Sequence, residues 1–169
     1  MQAVTIFGSN SGPREKLITQ AIRQLSEAGK IVLSSSFYET EPWGFECHEN
    51  FLNQITVFET LLSPEEFLKT CLDIEKQLGR IRLPNASRYS SRPIDIDLLF
   101  YDSRILETPD LILPHPRLCE RNFVLVPLAE IMPEFVHPVT GKTIAELLAA
   151  SPDRMEVKKL TIRPDVPLT

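Results

Sequence analysis

The chain has 169 residues, of which 43% are apolar and 24% charged, with a formal net charge of −5. That size and composition allow one soluble domain with a real core and exclude disordered and collagen-like classes. The acidic balance argues against a broad nucleic-acid or anionic-membrane surface, which would reward basic residues.

Cys47, Cys71 and Cys119 are odd in number and form no C-x-x-C pair, so neither a disulfide framework nor a zinc site is indicated. The start MQAVTIFGSN lacks a basic segment followed by an apolar run, and no stretch reaches 18 consecutive apolar residues. A cytoplasmic, monomeric protein without nucleic-acid or membrane partners is the expectation. A single domain over residues 1–169 is expected too.

In chain order, AVTIFGSN reads as a strand ended near Gly8. PREKLITQAIRQLSEAG then sets Leu17, Ile18, Ala21, Ile22, Leu25 and Ala28 on one helical face, with Pro13 in the first turn and Gly29 as a C-terminal cap. IVLSSSFYET and FLNQITVFETL are rich in β-branched and aromatic residues and read as two strands separated by the loop EPWGFECHEN. SPEEFLKTCLDIEKQLG opens a helix with Ser63 and Glu66 at capping-box spacing and Pro64 at its first position, and closes at Gly79. A fourth strand, IDIDLLFY, precedes RILETPDLILP and helical candidates in RNFVLVPLAEIM and TIAELLAA.

The order βαββαβ with C-terminal additions is that of an α+β, ferredoxin-like fold, an antiparallel sheet with helices packed on one face. Residues 151–169, with three prolines, read as a loosely attached tail.

SRPIDIDLLFYD repeats aspartate where strands usually avoid it. With alternating side chains, Ile94, Ile96, Leu98 and Phe100 form one face, and Asp95, Asp97, Leu99 and Tyr101 the other. The two carboxylates then share a side, with Cα atoms about 6.5–7 Å apart. That spacing suits either a solvated strand face or a site for hard cations.

Upstream, RIRLPNASRYSSR carries Arg80, Arg82, Arg88 and Arg92 with no acidic residue among them. It is either a solvated surface loop or a clamp that, with metal-holding carboxylates, would bind polyphosphate. Neither G-x-x-x-x-G-K-[ST] nor G-x-G-x-x-G is present, so a phosphate site here has to be built from arginines and metal. Downstream, LPHPRLCERNFVLVPL sets His115 between two prolines and Arg121 two residues before Phe123. His48 and His137 have no comparable setting.

Together these stretches resemble the 6-hydroxymethyl-7,8-dihydropterin pyrophosphokinases of folate biosynthesis. The likeness extends from residue 4 to about residue 148 and takes in FGSN, SSFYETEPWG, NFLNQ, IEKQLGRIR and the pair R-P-x-D-x-D and P-H-P-R-x-x-x-R-x-F. The resemblance implies transfer of pyrophosphate from ATP to the pterin hydroxymethyl group, with release of AMP and with two Mg²⁺ ions held by Asp95 and Asp97.

It also implies that Arg80, Arg82 and Arg92 engage ATP or close over the site. Glu75, Arg88, His115 and Arg121 fall on the ATP side. Phe51 and Phe123 match the aromatic pair around the pterin, Asn53 the amide that reads its edge, and Thr40, Trp43 and Gly44 the adjoining loop. Phe51 stands where tyrosine is also familiar in the family, and Tyr89 where some members have tryptophan. Two other functions compete: a ligand-binding sensor, disfavoured by the paired carboxylates, and an RNA-binding module, disfavoured by the acidic charge and the missing RNA-binding strand motif.

Overall fold

The computed structural model describes residues 1–41, 49–81 and 92–161. Its elements are β1 (Gln2–Ser9), α1 (Arg14–Leu25), β2 (Lys30–Ser34), β3 (Tyr38–Thr40), β4 (Phe51–Glu59), α2 (Pro64–Gln77), β5 (Asp95–Tyr101), β6 (Leu106–Glu107), β7 (Ile112–Leu113), α3 (Asn122–Ile131), α4 (Ile144–Ala149) and β8 (Val157–Lys159). A single 3₁₀ turn, Leu118–Glu120, precedes α3.

The main sheet runs β5-β1-β4-β3-β8, with β2 also paired to β4. All of its ladders are antiparallel. The first seven elements, β1 to β5 with α1 and α2, therefore make the expected ferredoxin-like core, in which the segment 30–40 is one strand broken in two. Ser35 is the break: its N–H donates to the Ile55 carbonyl at 2.8 Å, while its hydroxyl accepts from the Ile55 N–H at 2.9 Å. A side chain thus replaces one ladder partner, and the chain re-enters the sheet at Tyr38.

Both faces of the sheet are covered, which corrects the expectation of helices on one face. Ile18, Ala21, Ile22 and Leu25 of α1 and Phe67, Cys71 and Ile74 of α2 pack with Ala3, Phe7, Leu52, Phe58 and Ile96 on one side. Val124, Leu125 and Leu128 of α3 and Ile144 and Leu147 of α4 pack with Val4, Ile6, Ile55 and Val57 on the other. A strand buried on both faces shows no polar alternation, and AVTIF in β1 is apolar on both faces except for Thr5, which is itself buried.

The simple alternation expected for β5 holds as far as Leu99 and fails at Phe100. The β1–β5 register shifts between Val4 and Thr5, which face Phe100 and Leu98, so Leu99 is an extra residue. Leu99 and Phe100 then lie on the α3 side, and Tyr101 returns to the α1 side. This is a β-bulge, and the Leu99 carbonyl it leaves out of the ladder accepts the His115 N–H at 2.9 Å.

Two other readings are corrected. Gly29 does not cap α1, which ends at Leu25. Instead it passes so close to β4 that a Cβ there would lie 2.9 Å from the Glu59 carbonyl oxygen. The tail expected to be loose is attached in its first part: β8 pairs with β3, Lys159 bonds Glu130 at 2.8 Å, and the Leu160 N–H donates to the Phe37 carbonyl. Residues 162–169 lie outside the described residues.

Candidate active site

Directly opposed residues of an antiparallel pair share a face, so the register locates the site. Gly8 lies opposite Asp95 on one side and Asn53 on the other, and Tyr38 continues that row beyond Asn53. Ile6 lies opposite Asp97 and Ile55, and Thr40 opposite Phe51. Ile6 and Ile55 belong to the layer under α3. Asp95, Asp97, Asn53, Phe51 and Thr40 therefore all face the α3 side, toward one end of the sheet.

At two strand spacings, Asp95 and Asn53 are about 10 Å apart, with only the hydrogen of Gly8 between them. A Cβ at Gly8 would stand 3.1 Å from Asn53 Oδ1. The glycine keeps the floor open between the acidic and the amide ends. Asn53 and Thr40 are both 3% exposed, and Asn53 Nδ2 donates to Thr40 Oγ1 at 3.2 Å, which fixes the amide's orientation.

The acidic end is built from three elements. The α2 capping box is present as expected, and α2 ends in a left-handed Gly79, φ +94°, where glycine is favoured. The Gly79 N–H donates to the Lys76 carbonyl and the Arg80 N–H to the Glu75 carbonyl, the paired bonds of a Schellman ending. This ending turns Arg80 back over its own helix. Glu75, 1% exposed, accepts from Arg80 Nη1 at 2.7 Å and from the Ile96 N–H of β5 at 2.8 Å. Arg80 Nη1 also donates to Asp95 Oδ1.

Arg92 approaches Asp95 from the other side, Nη1 to Oδ2 at 2.8 Å. Its backbone is held by Asn10, whose N–H donates to the Arg92 carbonyl and whose Oδ1 accepts the Arg92 N–H at 2.7 Å.

Asp97 contrasts with Asp95. Among the described residues no hydrogen-bond or ion-pair partner contacts its carboxylate. Although the side chain keeps some exposure, the atoms around it withhold most of its hydration. That desolvation, with the charges of Asp95 and Glu75, pushes its carboxyl up to about 7. Two carboxylates on one face with a single set of arginine partners leave excess negative charge at Asp97.

His115 is held by the bulge in β5. Burial first, and then the nearby Arg121 charge, lower its imidazole to about 4, so it is neutral near pH 7. Nδ1 accepts the Arg117 N–H at 3.3 Å, which leaves the proton on Nε2 as a donor. Arg121 and Phe123 stand at the start of α3, with the guanidinium carbon 5.5 Å from the phenyl centroid.

Of the residues expected at the site, Trp43, Gly44, Arg82 and Arg88 lie outside the described residues. The others fall into three groups, the first two being Asp95, Asp97, Arg80, Arg92 and Glu75 around β5, and Thr40, Phe51 and Asn53 on β3 and β4. The third comprises His115 and Arg121, from the segment between β7 and α3, and Phe123, in the first turn of α3. Gly8 and Asn10 were not singled out as site residues, although FGSN contains both.

The family model for 7,8-dihydro-6-hydroxymethylpterin-pyrophosphokinase (HPPK) matches residues 4–133. The chain belongs to the HPPK family. An HPPK relative from Porphyromonas gingivalis, named 2-amino-4-hydroxy-6-hydroxymethyldihydropteridine pyrophosphokinase, is 41% identical over 78% of this chain and 90% of its own length. A protein of the same name from Aquifex aeolicus is 40% identical over 83% of this chain and 86% of its own.

The folic acid synthesis protein fol1 of Pneumocystis carinii is 42% identical, but the chain spans only 18% of it. Among solved structures, Plasmodium falciparum HPPK-DHPS with pteroate matches 88% of this chain and 42% of its own at TM-score 0.71 and 19% identity. That likeness shows the fold alone. Among the described residues, no helix is long and apolar enough to cross a membrane.

Proposed function

We propose that this protein transfers the β,γ-pyrophosphoryl group of ATP to the hydroxymethyl oxygen of 6-hydroxymethyl-7,8-dihydropterin, giving the pterin diphosphate and AMP. The observation that carries the proposal is the row Asp95–Gly8–Asn53: an acidic end and an amide end on one sheet face, separated by a residue without a side chain. The names of relatives at 40–41% identity support the same reaction.

The pterin belongs at the amide end. Its flat ring fits between aromatic side chains, and Phe51 and Phe123 are the pair assigned to it. Asn53, with Nδ2 turned to Thr40, keeps Oδ1 on the Gly8 side to accept from an N–H of the pterin edge. Trp43 and Gly44 are assigned to the adjoining loop.

The donor set at the acidic end fits Mg²⁺. Asp95 and Asp97 offer only oxygen, and Asp97 has a raised carboxyl that a cation would relieve. Mg²⁺ characteristically takes one or two carboxylates and completes its shell with waters and substrate phosphate, and two such ions are assigned here. When bound, Mg²⁺ neutralises the triphosphate and polarises the phosphoryl oxygens.

The protein's own groups supply orientation. Arg80 and Arg92 each carry donors beyond those used on Asp95, and with Arg82 and Arg88 they are assigned to the phosphate oxygens. Neutral His115 donates through Nε2, and Arg121 adds a fixed charge. Glu75 is assigned to holding Arg80 and β5 together, because both of its bonds quoted above run to protein. The pterin hydroxyl, aligned with the β-phosphorus, forms the new O–P bond and loses its proton as the bond to the AMP oxygen breaks.

The test is pterin-dependent nucleotide consumption. Purified protein with Mg²⁺ and ATP should consume nucleotide when 6-hydroxymethyl-7,8-dihydropterin is added and not before. ATP hydrolysis indifferent to the pterin, or none with it, would contradict the proposal.

A narrower result is expected at Gly8. Gly8→Ala puts a methyl group 3.1 Å from Asn53 Oδ1, and the amide cannot yield freely while Thr40 holds its nitrogen. Steady-state kinetics should show KM for the pterin rising about tenfold, the scale of one misplaced methylene in a binding site, with KM for ATP nearly unchanged. Equal rises in both would place the disturbance elsewhere.

A further inference from the structure

The start of α3 is not capped by its own sequence. Arg121 stands at the cap position and makes no side-chain cap bond. The cap comes from 31 residues further along the chain: Asp153 Oδ2 accepts the Asn122 N–H at 2.7 Å. Asn122 answers with its own amide, Nδ2 donating to the Asp153 carbonyl at 3.1 Å.

Asp153 is itself held in a tight turn. Its Oδ1 accepts the Met155 N–H at 2.9 Å, and its N–H donates to Ser151 Oγ at 3.3 Å. Four residues on from Asp153, Val157 opens β8, which pairs with β3 so that Val157 faces Thr40. One short segment therefore grips both the helix that carries Arg121 and Phe123 and the strand that carries Thr40. The family model ends at residue 133, so the Asp153 and β8 half of this clasp lies beyond the matched region.

We propose that Asp153 is a positioning residue for the substrate site. Asn122 is the residue between Arg121 and Phe123, so the carboxylate that caps its N–H sets the first turn of α3 and with it the placement of both neighbours. An uncapped first turn frays, because its N–H groups have no intrahelical acceptor. Phe123 would then lose its fixed place beside the pterin. The role rests on the pterin pyrophosphokinase reading of the site.

The experiment compares the wild type with D153A, D153N and F123A and with the double variant D153A/F123A. It measures dissociation constants for 6-hydroxymethyl-7,8-dihydropterin in the presence of Mg²⁺ and a non-hydrolysable ATP analogue, and thermal midpoints. D153A should weaken pterin binding about fivefold, the usual worth of an N-cap. D153N, whose amide oxygen can still accept the Asn122 N–H, should recover most of that.

In the F123A background, adding D153A should cost little more, because the two act through one ring. A D153A protein with a lower thermal midpoint but wild-type pterin affinity would overturn the positioning role. So would a fivefold loss that persists unchanged in the F123A background. Wild-type protein that does not bind the pterin at all would overturn the functional reading and, with it, this role.

Discussion

Asp97→Ala should reduce turnover by about a thousandfold or more, the scale expected when a Lewis-acid metal worth several kcal/mol is lost, and Asp95→Ala should do the same. The two variants differ in what else they change. Asp95 accepts bonds from Arg80 and Arg92, so its removal takes one carboxylate away from two guanidiniums and should lower the thermal midpoint.

Asp97 is the reverse case. Its carboxyl is raised to about 7, so the folded protein carries a penalty for ionising it that the unfolded chain, titrating near 4, does not. The stabilising contribution of its protonated form is complete below the unfolded value and is lost as pH rises through about 7. In Mg²⁺-free buffer, Asp97→Ala should therefore raise the midpoint relative to wild type at pH 8, and the difference should shrink toward pH 5. An inactive Asp97→Ala protein that is also less stable at pH 8 would contradict this electrostatic picture. A variant that keeps near-normal turnover at low Mg²⁺ would remove the metal assignment.

Arg92→Ala is expected to lower turnover by about a hundredfold to a thousandfold, as for other donors aimed at charge developing in a transition state. ATP affinity should fall much less, within about tenfold, because Arg80 remains against Asp95 and supplies charge to the ground state. The Arg92 backbone is pinned by two bonds to Asn10, at the end of β1, so the guanidinium is delivered from a fixed point. Single-turnover rates and equilibrium ATP binding separate the two effects. Equal losses in both would make Arg92 a simple binding residue.

Much of this arrangement is legible in the sequence because its causes are local. The capping box at Ser63, the apolar face of α1 and the aspartate repeat each follow from spacing within one turn or one strand. What escaped depends on residues distant in the chain. The bulge at Leu99 exists because β5 must follow β1 while its carbonyl turns to His115, and no signal within IDIDLLFY announces it.

The covering of the second sheet face by α3 and α4 has a trace in β1, where apolar Val4 and Ile6 alternate with Ala3 and Phe7 on the opposite face, which one-sided packing would not need. Asp153 could not be found by looking for a cap before α3, because the cap arrives from the far end of the chain. Gly8 and Asn10 were visible as residues but not as parts of a site. Their roles come from who stands opposite them: Asp95 and Asn53 for one, the Arg92 backbone for the other.

The central claim is that the acidic end of this sheet face aligns the β-phosphorus of ATP, rather than the γ-phosphorus, with a pterin hydroxyl bound at the amide end. Labelled ATP tests it directly. With Mg²⁺ and 6-hydroxymethyl-7,8-dihydropterin, label at the β- and at the γ-phosphorus should both appear in the pterin product. Label at the α-phosphorus should remain in AMP, with AMP and pterin diphosphate formed in equal amounts. Transfer of the γ-label alone, with the β-label retained in ADP, would contradict the account.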